Sequence, residues 1–215
     1  MKKIAIAGSG GFAKEVAWLI ERINKVKPTW KFVGYIDNES HAENVFGNDE
    51  FICNFSEELS VALAIGSSSI RKNIYERYKQ NPNISFPNLI DPSVITSDKI
   101  KLGIGNIICA GNILTVDISF GNFNMINLNC TIGHDAVIKN YVTMNPSVNL
   151  SGNTVLEDNV SIGTGVQIVQ GLHIGENSVV AAGTVIKKDL PENSLASGNR
   201  AKVVKIPEGA AGFLF

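Results

Sequence analysis

Residues 126–150, INLNCTIGHDAVIKNYVTMNPSVNL, place an aliphatic side chain at every sixth position: Ile126, Ile132, Ile138, Met144 and Leu150. The register continues back through Phe120, Leu114, Ile108 and Leu102, and forward through Leu156, Ile162, Ile168, Ile174, Val180 and Ile186, so all fifteen positions are apolar. In a chain of this composition chance would give such a run roughly a few times in 10⁵, even allowing six registers, so a fixed repeat is required. Glycine often follows the aliphatic (Gly103, Gly121, Gly133, Gly163, Gly175), and a small or β-branched residue often stands two before it (Cys130, Ala136, Val142, Val148, Val160, Val166). Both features accompany a tight corner beside an inward side chain.

A six-residue period with one inward aliphatic per corner is the signature of a parallel β-helix. Three hexads close one triangular coil of eighteen residues, and 102–191 makes five coils without an insertion. No coil buries its own aliphatic; only the stack does. Asp91-Pro92-Ser93 ahead of Val94 reads as the start of an irregular first coil.

Upstream the period changes. Lys3–Ala7 reads as a strand ending in Gly8-Ser9-Gly10-Gly11, and Phe12, Val16, Leu19, Ile20 and Ile23 follow at helical spacing until Pro28. Phe32–Ile36 and Val61–Ile65 read as further strands, and Ser67–Lys79 as a helix opened by serine caps. This order predicts a small α/β domain with a parallel sheet over 1–88, a β-helix over 89–198 and a tail over 199–215.

At 215 residues the chain holds one or two domains, and 44% hydrophobic against 18% charged composition excludes disorder. Nineteen basic against twenty acidic residues give a net charge of −1, which argues against nucleic acid or an anionic membrane as partner. The amino-terminal apolar run stops at Gly8, short of a signal peptide, and no stretch reaches membrane-spanning length. Cys53, Cys109 and Cys130 form no CxxC pair and read as buried hydrophobes in a reducing compartment. A cytoplasmic protein is expected.

The glycine loop Gly8–Gly11 follows a strand and opens a helix, where backbone N–H groups and the helix dipole attract phosphate oxygens. Its pattern is similar to a dinucleotide fingerprint, with Asp37-Asn38 after the second strand. His134 stands two residues past inward Ile132 and should face outward, and imidazole is the side chain that exchanges a proton near neutral pH. His173 reads as an ordinary outward residue without a neighbouring acid, and His41 lies in a polar loop. Zinc carbonic anhydrases share the β-helix class, but two helix histidines 39 residues apart cannot make a three-histidine site, so no metal is expected.

Taken together, the hexapeptide run with Thr131-Ile132-Gly133-His134-Asp135, the amino-terminal IAIAGSGGFAKEV and the terminal GNRAKVVK resemble the left-handed β-helix sugar acyltransferases over about residues 2–205. The family includes sugar-nucleotide N-acetyltransferases and sialic-acid O-acetyltransferases. The resemblance implies a Rossmann-like domain before a left-handed parallel β-helix, acetyl-CoA as donor, and a homotrimer with active sites between subunits. It implies His134 as general base with Asp135 as its acidic partner. It puts the diphosphate of a nucleotide-sugar against Gly10, Gly11 and Phe12, the base or ribose at Asp37 and Asn38, and the Gly66–Arg71 element in the same pocket. Gly152 is assigned to the acceptor, and Thr143, Thr164 and Ala182 to the donor. Lys187, Lys188, Arg200, Lys202 and Lys205 read equally as contacts for CoA phosphates or as a solvated charge run. Phe12 stands where many relatives have a phosphate-donating histidine, Asn38 where they have a second acid, and Arg200 where they usually have proline. Lys139-Asn140 and Glu157-Asp158 replace corner glycines.

The activity expected is N-acetylation of an amino group on a nucleotide-linked deoxyamino sugar for a bacterial surface glycan. Two alternatives stand beside it: O-acetylation of a free sugar such as sialic acid, and a non-catalytic nucleotide-binding scaffold trimer.

Overall fold

The computed structural model describes residues 1–38 and 43–207. Strands β1 (Lys2–Ala7), β2 (Trp30–Ile36), β3 (Val45–Gly47), β4 (Leu59–Leu63) and β5 (Ile84–Ser85) form one parallel sheet in the order β3-β2-β1-β4-β5. Helices α1 (Gly11–Val26), α2 (Asp49–Cys53) and α3 (Ser68–Tyr78) connect them. Ala13, Val16, Leu19 and Ile20 are the buried stripe of α1, at the spacing its sequence shows. The strand expected at Val61–Ile65 runs from Leu59 to Leu63 and so ends earlier, because Ile65 and Gly66 already belong to the loop that opens α3. Elements as short as β3, α2 and β5 carry too few residues to show a period.

From Leu89 the chain winds into three parallel sheets, each adding one two-residue strand per coil. The first runs from Leu89–Ile90 through Ile107–Ile108, Met125–Ile126, Thr143–Met144 and Ser161–Ile162 to Val179–Val180, and closes with Ser194–Ser197 and, antiparallel to it, Lys202–Lys205. The second carries Ile95–Thr96, Ile113–Leu114, Thr131–Ile132, Asn149–Leu150, Gln167–Ile168 and Val185–Ile186. The third carries Lys101–Leu102, Ser119–Phe120, Val137–Ile138, Val155–Leu156 and His173–Ile174. Each hexad aliphatic is the second residue of its strand and stacks on the one eighteen residues away, as Ile132 does on Leu114 and Leu150. The residues two before it, Cys130, Ala136, Val142, Val148, Val160 and Val166, are fully enclosed and fill the corners of the prism.

Two details differ from the hexad reading. Glycines following the aliphatic do not take the left-handed conformation. That falls three residues after the aliphatic and is held by Asp117, Phe123, Asn129, Asp135 and Tyr141 as readily as by Gly105 or Gly165. Gly103, Gly121 and Gly163 are small because corners stack closely: a Cβ there would lie 2.5 Å from Gly121 O, 2.8 Å from Lys139 O and 2.8 Å from Val180 O respectively. The register also breaks after Ile186. Ile174 bridges Leu190 and Val180 pairs with Ala196, sixteen residues on in both cases (174 to 190, 180 to 196), so the last coil is two residues short.

The α/β unit packs on the first sheet through Leu89, Ile107 and Cys109, and through an aromatic cluster of Tyr75, Phe86, Phe123 and Tyr141. A second clasp joins Arg22 of α1 to Asp91 at the start of the β-helix, both guanidinium Nε and one terminal nitrogen reaching the carboxylate. Burial alone would raise the Asp91 pKa, but hydrogen bonds from Arg22 and from the hydroxyl and N–H of Ser93 outweigh it and hold it down at about 2. A depressed pKa means that the stabilisation is present above the ordinary carboxylate range and is lost as pH falls toward 2, amounting to roughly 2 kcal/mol. Urea unfolding at pH 6 and pH 2.5 is expected to show this loss in the wild type and a smaller one in Asp91→Asn. Equal pH dependence of the two proteins would contradict it.

Candidate active site

His134 follows the second-sheet strand Thr131–Ile132 and therefore lies on the corner leading to the third sheet. It is exposed, and its Nδ1 lies 2.7 Å from Asp135 Oδ2. Asp135 takes the left-handed corner position, φ 57°, and its N–H donates to Val116 O one coil earlier, which fixes the carboxylate beside the ring. With Nδ1–H directed at the carboxylate, Nε2 is the nitrogen left to accept a proton. The next coil places Gly152 under the ring, where a Cβ would lie 2.6 Å from Nε2. Gly152, expected as an acceptor contact, thus also makes the room in which the imidazole lies. Val116, half-exposed, flanks the histidine from the preceding coil.

Thr164 and Ala182 are exposed, one coil apart, on the corner between the first and second sheets. That corner is the opposite edge of the second sheet from His134. Beside them Gly165 and Gly183 would set a Cβ in open space, so main chain is accessible there. Thr143 behaves differently. It faces the α/β unit, is buried, donates to Gly66 O at 3.2 Å and accepts from Arg71 at 3.1 Å. It belongs to the domain junction rather than to an open donor groove, because the first sheet's outer face is covered by the α/β unit.

In that unit β1 lies between β2 and β4, so the sheet reverses its winding between β1 and β4. The loops leaving these two strands flank the crevice where open α/β sheets bind ligands. Gly10, Gly11 and Gly66 all face open space there, and α1 has no side-chain cap on its first turn. Gly8 takes φ 96°, which aims the loop over the helix start. Phe12 packs into the core beneath it. The Ser9 hydroxyl hydrogen-bonds to the Asp37 carboxylate across the strand ends. Asn38 is engaged with Asp49, accepting from its N–H and donating to its carboxylate, both at 3.0 Å. Arg71, expected to line the crevice, is instead enclosed at 1% exposure between the domains.

His173 has an acid after all: Glu157, sixteen residues earlier, lies 2.8 Å from Nε2 and also pairs with Lys139. The residues that replace corner glycines therefore form a surface ion network that no reading of immediate neighbours could reveal. His41 lies outside the described residues. Among the described residues no group of three potential ligands could hold a metal ion, and no helix is long and apolar enough to cross a membrane. A cavity of about 500 Å³ at the end of the prism is lined by Val185, Leu190, Pro191 and Val203 together with Lys187, Lys188 and Arg200. Arg200 adopts φ 75°, so this turn is one that proline, fixed near −65°, cannot make.

Known proteins share this arrangement. Residues 3–78 match the PglD N-terminal domain, and residues 153–188 match the bacterial transferase hexapeptide, six repeats. The acetyltransferase domain of PglB from Neisseria gonorrhoeae FA1090 superposes with a TM-score of 0.88 at 26% identity, covering 95% of this chain and 100% of that one. Both segments and the superposition make the chain similar to the left-handed β-helix sugar acyltransferases. PerB from Caulobacter crescentus, solved with CoA and GDP-perosamine, superposes at a TM-score of 0.79 with 26% identity, covering 95% of this chain and 98% of that one. The GDP-perosamine N-acetyltransferase of Escherichia coli O157:H7 is 29% identical over 148 residues, 66% of each chain. The chain spans 24% and 53% of the lengths of the first two curated relatives it matches. The His134–Asp135 corner and the glycine crevice stay open to ligands, as do the Thr164–Ala182 corner and the cavity at the end of the prism.

Proposed function

We propose that the protein is an acetyl-CoA-dependent N-acetyltransferase acting on the amino group of a nucleotide-linked deoxyamino sugar, in bacterial surface-glycan biosynthesis. The observation that carries this reading is the exposed His134 ring, held by Asp135 at 2.7 Å with Nε2 over a glycine. The amine nitrogen attacks the thioester carbonyl, Nε2 takes the proton the nitrogen sheds, and a backbone N–H stabilises the oxyanion. Collapse of that intermediate forms the amide and expels CoA thiolate, which recovers the proton from the imidazolium. Acetyl-CoA fits the small, main-chain-lined corner at Thr164 and Ala182. The two corners lie on opposite edges of one sheet, so a second copy must bring its corner to His134. The exposed Ile95, Ile113, Val116 and Val169 along the same sheet and its edge favour such a homotrimer.

A nucleotide-linked acceptor is favoured over a free sugar because only a nucleotide needs the bare glycines Gly10, Gly11 and Gly66 at the reversal of the sheet. The test is thiol release from acetyl-CoA across a panel of nucleotide-linked and free amino sugars, with calorimetric titration of UDP, dTDP and GDP. Turnover with a nucleotide-linked amine and binding of one nucleotide are expected. Turnover only with free hydroxyl sugars would replace this reading with O-acetylation, and silence across the panel would favour the scaffold.

A further inference from the structure

Arg71 is a buried cation whose hydrogen-bond partners among the described residues include no carboxylate. Its Nε donates to Phe123 O at 2.9 Å, and one terminal nitrogen to Tyr141 O at 2.8 Å and Thr143 Oγ1 at 3.1 Å, all on the β-helix. The other terminal nitrogen donates to Ile65 O at 2.6 Å and Gly66 O at 3.2 Å, on the loop after β4. Burial brings the guanidinium down to about 9, so it is still charged at neutral pH. Enclosing a charge without a counter-ion is costly, and an apolar residue would join the two domains with less penalty. What an apolar residue cannot do is hold two successive loop carbonyls. In trans peptides C=O and N–H point in opposite directions, so anchoring the carbonyls of Ile65 and Gly66 at the junction turns the N–H groups of Gly66 and Ser67 away from it, on the side where Gly66 faces open space. The Thr143 hydroxyl donates to the same Gly66 carbonyl and completes the clamp.

We infer that Arg71 is a positioning residue for the acceptor: it aims the Gly66 and Ser67 amides at the diphosphate and sets that edge of the crevice at a fixed height on the β-helix. This rests on the reading of the crevice as a nucleotide-sugar site. Arg71→Lys and Arg71→Met are expected to raise KM for the nucleotide-linked amino sugar at least about tenfold, with KM for acetyl-CoA within about twofold. Turnover of the same amino sugar without its nucleotide should be unchanged. A KM for the nucleotide-sugar equal to wild type, or losses spread equally over both substrates and over the truncated acceptor, would overturn the inference. Should the Arg71 variants fail to fold, Thr143→Val keeps the cation and removes only the hydroxyl that links it to Gly66 O. It should raise the same KM about two- to fivefold, and no change would count equally against the inference. Absence of nucleotide binding by the wild-type protein in calorimetry removes the crevice reading itself, and the inference with it, whatever the variants do.

Discussion

Replacing His134 by alanine is expected to lower turnover at least about 10²-fold while leaving acetyl-CoA affinity within a few-fold of wild type. The ring is exposed and outside the packed core of the prism, so its removal opens no cavity, and thermal stability should be nearly unchanged. Its sole side-chain hydrogen bond among those described is to Asp135, itself exposed, so the variant strands no buried polar group. The measurement is steady-state thiol release with a saturating amino-sugar acceptor, alongside calorimetric titration of the donor. Turnover preserved in a folded His134→Ala protein would remove general-base catalysis by this residue. Asp135→Asn should fall between the two, because an amide can hold the ring but does not favour the imidazolium formed during transfer.

Gly152→Ala should approach the effect of losing the imidazole, although it adds a single methyl group outside the catalytic pair. Gly152 does not take positive φ, so alanine suits its backbone, and the whole cost falls on the space above it. A Cβ there would lie 2.6 Å from Nε2, 2.7 Å from Cε1 and 2.8 Å from Cδ2 of His134, a collision along the full edge of the ring. The ring must swing off the glycine, and a displacement on the order of 1 Å at a reacting group is enough for a loss of about 10²-fold. Turnover is the readout, with unfolding by urea as the control. Activity within twofold of wild type would mean that the imidazole does not work from this position.

The site was only partly legible in the sequence. The repeat placed His134 outward, whereas Asp135 as its partner and Gly152 were given by the resemblance; the stacked coils then bring position 134 over position 152. The roles of Arg71 and Thr143 were not legible, because both are set by residues far away in the chain. Arg71 meets the carbonyls of Phe123 and Tyr141 across 52 and 70 positions, and no local pattern distinguishes a solvent-facing arginine on α3 from one enclosed between domains. The partnership of His173 with Glu157 was missed for a related reason. An acid sixteen residues away is a neighbour only once the coils are stacked.

By itself the sequence determined the prism, since a six-residue aliphatic period has one way to remove its side chains from water, and it determined the strand–glycine–helix opening of the α/β unit. Tertiary structure decided which outward residues are available. Covering the first sheet with the α/β unit withdrew Thr143 and Arg71 from solvent, while the second sheet and the His134 corner stayed open. The physical reason is that periodicity encodes which side of a strand faces its own core, whereas contact between the two units depends on surface shape and on hydrogen-bond partners that no repeat specifies.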